Sequence, residues 1–400
     1  MGKKIFKEGK KMYEFELSNP TKIFFGEQER NNIGRQIAKY GKNILVVYGG
    51  GSIKRSGLFD DVVALLNREG LAVYEFSGVQ SNPKHAMVNE GAELCRTLAI
   101  DAILAIGGGS VIDCAKAISV ASFYMGDCWD IITKKVEIHN ALPIFAIMTI
   151  SGTGTEMNNS CVISNAELKM KRGFSSELIR VKAAYLDPTL TYSVNKFQTA
   201  CGAADTLSHI LDTAYFVNGD KMQMLNGIME SVCRTIIKYG PIAIQEPENY
   251  EARTNLMWAS TWGLNGLLKN GIKQLAACHA IEHELSARYD ITHGHGMAIV
   301  MPRYYRSILD SNNIKMFAQF GRNVFDIDCN LTDEEAAFEM LNQMENFLFN
   351  DLALPSKLSD IGINDSEFEI MANNICWGGS LPGLKAITTE DVVNIFYACL

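Results

Sequence analysis

The stretch from Cys278 to Pro302, CHAIEHELSARYDITHGHGMAIVMP, holds four of the chain's seven histidines. His279 and His283 stand four residues apart against an apolar backing of Ala280, Ile281, Leu285 and Ala287. That pattern predicts a helix with both imidazoles on one face. Thr292 to Gly296, THGHG, predicts a turn that places His293 and His295 just before the apolar run MAIVM. Upstream, Asp205 and His209 repeat the i,i+4 spacing inside the helical pattern CGAADTLSHILDTAY. A carboxylate and several imidazoles on two such pieces suit a divalent transition metal held by mixed nitrogen and oxygen ligands. A lone histidine is more often a core or surface residue, and either pair alone would carry little. The two pairs together with the His-Gly-His stretch carry the metal reading.

A second chemistry is written in glycine. Gly107-Gly108-Gly109-Ser110 separates the apolar run DAILAI from the helical run VIDCAKAIS. Glycines there let a ligand approach the backbone, and the helix N-terminus offers unpaired N–H groups, which is what a pyrophosphate needs. The turn is neither a GxGxxG nor a Walker loop, which disfavours a P-loop. The next apolar run, PIFAIMTI, ends in SGTGTE (151–156), a loop of hydroxyls on pliable backbone. An earlier run, NILVVY, ends in Gly49-Gly50-Gly51-Ser52 with Lys54 and Arg55 beyond it. No carboxylate follows that strand to meet an adenosine ribose. The expectation is therefore NADP(H) in preference to NAD(H), with NAD possible.

The elements that must position these groups alternate strand and helix as far as Asp187-Pro188, then turn helical in period to the end. The fold class expected is an α/β dinucleotide-binding domain with a parallel doubly wound sheet, residues 1–187, followed by an all-helical metal-binding domain, residues 188–400. Two short strands are expected late in the first part, near Cys161–Ser164 and Lys182–Leu186. A Thr332…Glu335 capping box should open a helix over 332–350. The composition is that of an ordinary globular chain, 47% hydrophobic and 20% charged. Its net charge of −8 argues against a nucleic-acid partner. No run of about 18 apolar residues exists to span a membrane. The basic N-terminus lacks the apolar core of a signal peptide. Ten scattered cysteines without a CxxC fit reduced thiols in a cytoplasmic protein.

Taken in chain order, these motifs resemble a known family. A GGGS-x₂-D turn (Gly107 to Asp113), a G-T-G-T-E loop (Gly152 to Glu156), Asp205-x₃-His209, His279-x₃-His283 and His293-Gly294 occur in sequence. The pattern resembles the iron-containing (group III) alcohol dehydrogenases, and more closely their butanol dehydrogenase-like branch. The resemblance runs from the start TKIFFG to a C-terminus of form T-x-E-D-V-x₂-I-F. It implies hydride transfer between NAD(P)(H) and a primary alcohol or aldehyde, a small-molecule substrate, and a homodimer. It also implies Fe²⁺ or Zn²⁺ on Asp205, His209, His279 and His293, with His283 as a proton relay. His295, straight after His293-Gly294, departs from the family's commonest pattern and stands as a reserve ligand. Gly107, Gly108, Ser110 and Asp113 would touch the pyrophosphate and ribose, with Gly109 in the same turn and Gly49, Gly50 and Ser52 in the earlier one. Thr149 and Thr153 would lie near the adenine and nicotinamide portions, and Lys171 near the cofactor ribose. A lyase of the dehydroquinate synthase kind would need more basic residues than Arg288 and Arg303 around the metal stretch. A metallohydrolase or a non-enzymatic metal protein would leave the glycine turns without a ligand.

Overall fold

The computed structural model describes residues 14–218, 222–272 and 275–400. Short β-branched and apolar runs build the first half. Lys22–Phe25 (β1), Asn43–Tyr48 (β2), Ala72–Phe76 (β3), Ala102–Gly107 (β4) and Ile144–Met148 (β5) are strands of one sheet. Ser160–Asn165 (β6) and Met170–Ser175 (β7) leave it to form a separate antiparallel hairpin. Ala183–Leu186 (β8) then returns between β1 and β5. The sheet order is β1-β8-β5-β4-β2-β3, and every pair in it is parallel.

Helices cover both faces, as parallel strands buried on two sides require. Ile33–Ile37 (α1), Ser52–Arg55 (α2) and Leu58–Arg68 (α3) belong to one face. His85–Thr97 (α4), Gly109–Ala121 (α5) and Cys128–Ile132 (α6) pack on the other. All six residues of β4 and all five of β5 are buried, which is why those segments are apolar without alternation. The glycine turns after β2 and β4 stand side by side at the strand C-termini, where open parallel sheets take their ligands.

After β8, Asp187 caps the turn Pro188–Thr191 through the Thr189 N–H and pairs with Arg30. The remainder is mostly helical. Lys196–Ile210 (α7) continues through a π-turn at Leu211–Tyr215 into Phe216–Asn218 (α8). Gln223–Gln245 (α9), Tyr250–Gly263 (α10), Ala277–Tyr289 (α11) and His293–Ile308 (α12) follow, with α12 packed along α7. Ile314–Val324 (α13), Asp333–Asn346 (α14), Phe368–Cys376 (α15) and Thr389–Ala398 (α16) complete a third core. The Thr332–Glu335 capping box opens α14 as expected. Among the described residues no helix is long and apolar enough to cross a membrane.

Three elements differ from the sequence expectation. β7, MKRGFS, has too little apolar content to announce itself and exists because β6 pairs with it. A two-residue ladder, Ser380–Leu381 (β9) with Ile387–Thr388 (β10), interrupts the helical region. The THGHG segment is not a free turn: Thr292 is the N-cap, and His293 opens α12.

Candidate active site

Three helices bring four ligand groups together. Asp205 and His209 share a face of α7, His279 lies in the first turn of α11, and His293 begins α12. α7 and α12 approach so closely that a Cβ on Gly294 would sit 2.1 Å from the Cys201 carbonyl oxygen, so only glycine fits there. Asp205 Oδ1 lies 3.6 Å from His209 Nε2 and 3.5 Å from His293 Nε2. One ligand atom from each of Asp205, His209, His279 and His293 falls within 4.8 Å of the others. Asp205 Oδ1 and His279 Nε2 are buried without a hydrogen-bond partner among the described residues. Such orphaned polar atoms are costly, and a cation shared between them removes the cost. Burial pushes His209 down to about 3, leaving the neutral imidazole that a metal binds. The donor set fits a divalent transition ion.

Two carboxylates outside this set hold it in place. Asp212, one turn beyond His209, accepts the N–H groups of Cys278 (3.2 Å) and His279 (3.0 Å) at the start of α11. Its Oδ2 is also 2.7 Å from His279 Nδ1. An ionised carboxylate only accepts, so Nδ1 carries the hydrogen and Nε2 turns its lone pair to the cluster. Glu282, completely buried, does the same for His293 Nδ1 and also receives the Ser286 hydroxyl. Lys171 Nζ, from β7, stands 3.6 Å from Glu282 Oε2. Neither carboxylate was singled out from the sequence. Asp212 was within reach, because Asp205, His209 and Asp212 continue one face at i, i+4 and i+7. Glu282 gives no such signal.

His283 is half-buried one turn along from His279, with ring centroids 6.5 Å from His279 and 5.5 Å from His293. Burial, followed by the charges of Lys171 and His293, pushes His283 well below the usual histidine range. His295 turns away from the cluster: its Nε2 is 2.9 Å from the Pro355 carbonyl, and its ring meets the edge of Phe197. The reserve-ligand role is corrected on that geometry.

The glycine turns open onto a cleft of about 290 Å³ that ends at Asp205 and His293. Gly49, Gly50, Ser52, Gly107, Gly108, Gly109, Ser110, Thr149 and Thr153 all line it. A Cβ on Gly109 would lie 2.3 Å from Thr153 Cγ2, so the start of α5 and the 151–156 loop touch only through glycine. Gly152 in that loop is clamped from the helical side. Its N–H donates to Ser260 Oγ (2.7 Å), and its carbonyl accepts from Thr206 Oγ1 (2.9 Å).

A second cavity of about 360 Å³ lies across the cluster, bordered by His209, His279, His283 and Lys269, and it shares Asp205 and His293 with the cleft. Asp113 and Lys171 line this second cavity and not the cleft. Asp113 accepts the Thr155 hydroxyl (2.6 Å) and the Val162 N–H (2.9 Å), which ties the start of α5 to the loop before β6. At the far end, Lys54 pairs with Glu75 at 2.6 Å, and Glu75 also accepts from Tyr48. Sequence order hid that carboxylate, which arrives from the neighbouring strand β3. Arg55 makes one contact, 3.5 Å from the Gly50 carbonyl. Lys116 went unnoticed in the sequence. It is fully buried, and its Nζ donates to Thr155, Asn158 and Ser160, fixing the loop that leads into β6.

Family models match both halves of the chain: iron-containing alcohol dehydrogenase over residues 20–188, and the C-terminal region of the Fe-containing alcohol dehydrogenase family over 199–400. The chain belongs to this family. Its relatives include NADH-dependent butanol dehydrogenase A of Clostridium acetobutylicum, 45% identical over 96% of this chain and 99% of that one. The NADPH-dependent aldehyde reductase YqhD of Escherichia coli is 34% identical over 91% and 93%. A crystal structure of NADH-dependent butanol dehydrogenase A from Thermotoga maritima superposes with a TM-score of 0.91 at 38% identity, covering 98% of this chain and all of that one. As an iron-containing alcohol dehydrogenase of the butanol dehydrogenase-like branch, the chain is an oxidoreductase acting on alcohols and aldehydes with a nicotinamide cofactor and a metal.

Proposed function

We propose that Asp205, His209, His279 and His293 hold one Fe²⁺ or Zn²⁺ and that the enzyme interconverts short primary alcohols and aldehydes, butanal among them. The observation that carries this reading is that Asp205 and His293 line both cavities. The ion would therefore stand where a nucleotide in the glycine cleft meets a substrate on the other side. When bound, the ion supplies Lewis-acid polarisation of an alcohol or carbonyl oxygen, and the nicotinamide carries the hydride. The α5 N-terminus and the Gly107–Ser110 turn receive the pyrophosphate, while Thr149 and Thr153 flank the two ends of the nucleotide. Lys171 holds Glu282, and through it His293, from the hairpin side. His283 faces the substrate cavity as a neutral ring that hands a proton on without storing its charge. The domains divide at 187/188, and the protein works as a cytoplasmic homodimer.

For the cofactor's 2′ position we infer that both NADH and NADPH are accepted, and that any preference for NADPH rests on Ser52 and Arg55. No acid lines that end of the cleft, whereas Lys54 is neutralised by Glu75. The relatives divide on this point by name, NADH-dependent at 45% identity and NADPH-dependent at 34%.

The decisive test is His279→Ala. It should lose the metal, measured by elemental analysis, and lower butanal reduction by roughly a thousandfold or more, while the circular dichroism stays native. Full metal content with normal turnover would overturn the ligand assignment.

A further inference from the structure

We propose that the metal-side cavity is specialised for short aldehydes whose far end carries a carboxylate, and that Lys269 receives that carboxylate. This rests on the aldehyde-reductase reading above and adds the substrate's second functional group. Lys269 ends the short turn Leu267–Lys269, which follows Gly266 in the left-handed conformation at φ 89°. Gly266, Leu264 and Lys269 line the cavity that His209, His279 and His293 also border.

The three ammonium groups around the site differ in their commitments. Lys116 is saturated by acceptors, and Lys171 faces Glu282. The Lys269 ammonium has neither a hydrogen bond nor an ion pair among the described residues, although the residue borders the same cavity as the cluster. Its charge is felt at Asp212 and at His209, so it is not a remote surface lysine. A neutral aldehyde would leave the ammonium partly desolvated with nothing to hydrogen-bond. A carboxylate gives it a charge-assisted partner. The intervening wall, with Pro83, Val162, Leu264 and Ala276, is apolar and suits a short methylene chain.

The reaction is the enzyme's own. The aldehyde carbon takes hydride from the reduced nicotinamide, the oxygen takes a proton, and the carboxylate passes through unchanged. Burial pushes the Lys269 ammonium down to about 8. Recognition of the carboxylate should thus be full below that pH and fade as the pH rises through it.

The experiment compares kcat/KM for butanal and 4-oxobutanoate, equal in carbon number, in the metal-loaded wild type and in Lys269→Met at pH 7. The wild type should favour 4-oxobutanoate, and the substitution should lower the ratio of the two by roughly ten- to a hundredfold. Lys269→Arg should restore part of it. A wild type that favours butanal, or a ratio unmoved by Lys269→Met, overturns the proposal while leaving the aldehyde-reductase reading intact. Failure of the wild type to reduce either aldehyde would overturn that reading itself. Because the wild-type ratio is decisive alone, the outcome does not depend on the variant folding.

Discussion

The nucleotide cleft and the metal cluster meet at Asp205 and His293, yet they are made of different materials. The cleft is backbone and hydroxyl: glycines at three strand ends, Ser52, Ser110, Thr149 and Thr153, while Lys54 beyond Ser52 is paired to Glu75. The cluster is buried ionisable side chains, each braced by another: Asp212 on His279, Glu282 on His293, and Lys171 on Glu282. A backbone site tolerates exchange of polar side chains but not an added methyl group. A side-chain site tolerates neighbours of altered size but not the loss of a lone pair. That contrast says where each half is vulnerable.

The largest effect should come from the bracing carboxylates. Asp212→Asn keeps the size but lets an amide face His279 Nδ1, and metal affinity should fall about 10–100-fold, read by chelator competition. Nucleotide binding by apo protein should barely change. Equal loss of nucleotide affinity in the apo protein would erase the distinction between the two halves. Next comes Gly109→Ala on the other side. Its new methyl meets Thr153 at 2.3 Å. Nucleotide Kd should rise about tenfold, as 1–3 kcal/mol of overpacking implies, with metal content unchanged. Retained nucleotide affinity would show that the turn does not receive the pyrophosphate. The smallest effect is expected at the rim. Arg55→Ala should shift the NADPH:NADH ratio of kcat/KM toward NADH by about two- to fivefold, since an exposed contact is worth about 1 kcal/mol or less. A shift of that size from Lys54→Ala instead would mean that Glu75 releases its lysine when nucleotide arrives.

The same contrast explains what could be read in advance. Strand and helix alternation through β5 was legible because buried parallel strands are apolar from end to end. The four convergent groups stood out because two i,i+4 pairs and a His-Gly-His stretch coincide in one chain. β7 was missed because its stability comes from its partner strand and from Lys171 reaching the helical region, neither of which is local. THGHG was read as a turn because glycines usually break helices. Here Gly294 and Gly296 serve contact, against Cys201 and Glu282, and the helix runs through them. The pairing of Lys54 with Glu75 was invisible because the two lie 21 residues apart and meet only through the β2–β3 register.

The clamp on Gly152 has a consequence beyond geometry. The loop residue that borders the glycine cleft is held by Thr206, one position from the proposed ligand Asp205, and by Ser260 on α10. Occupation at one end of α7 and occupation of the cleft thus draw on a common piece of ordered backbone. Two such equilibria are thermodynamically linked, and linkage is reciprocal. Whatever factor the ion contributes to nucleotide affinity, the nucleotide must return to the ion.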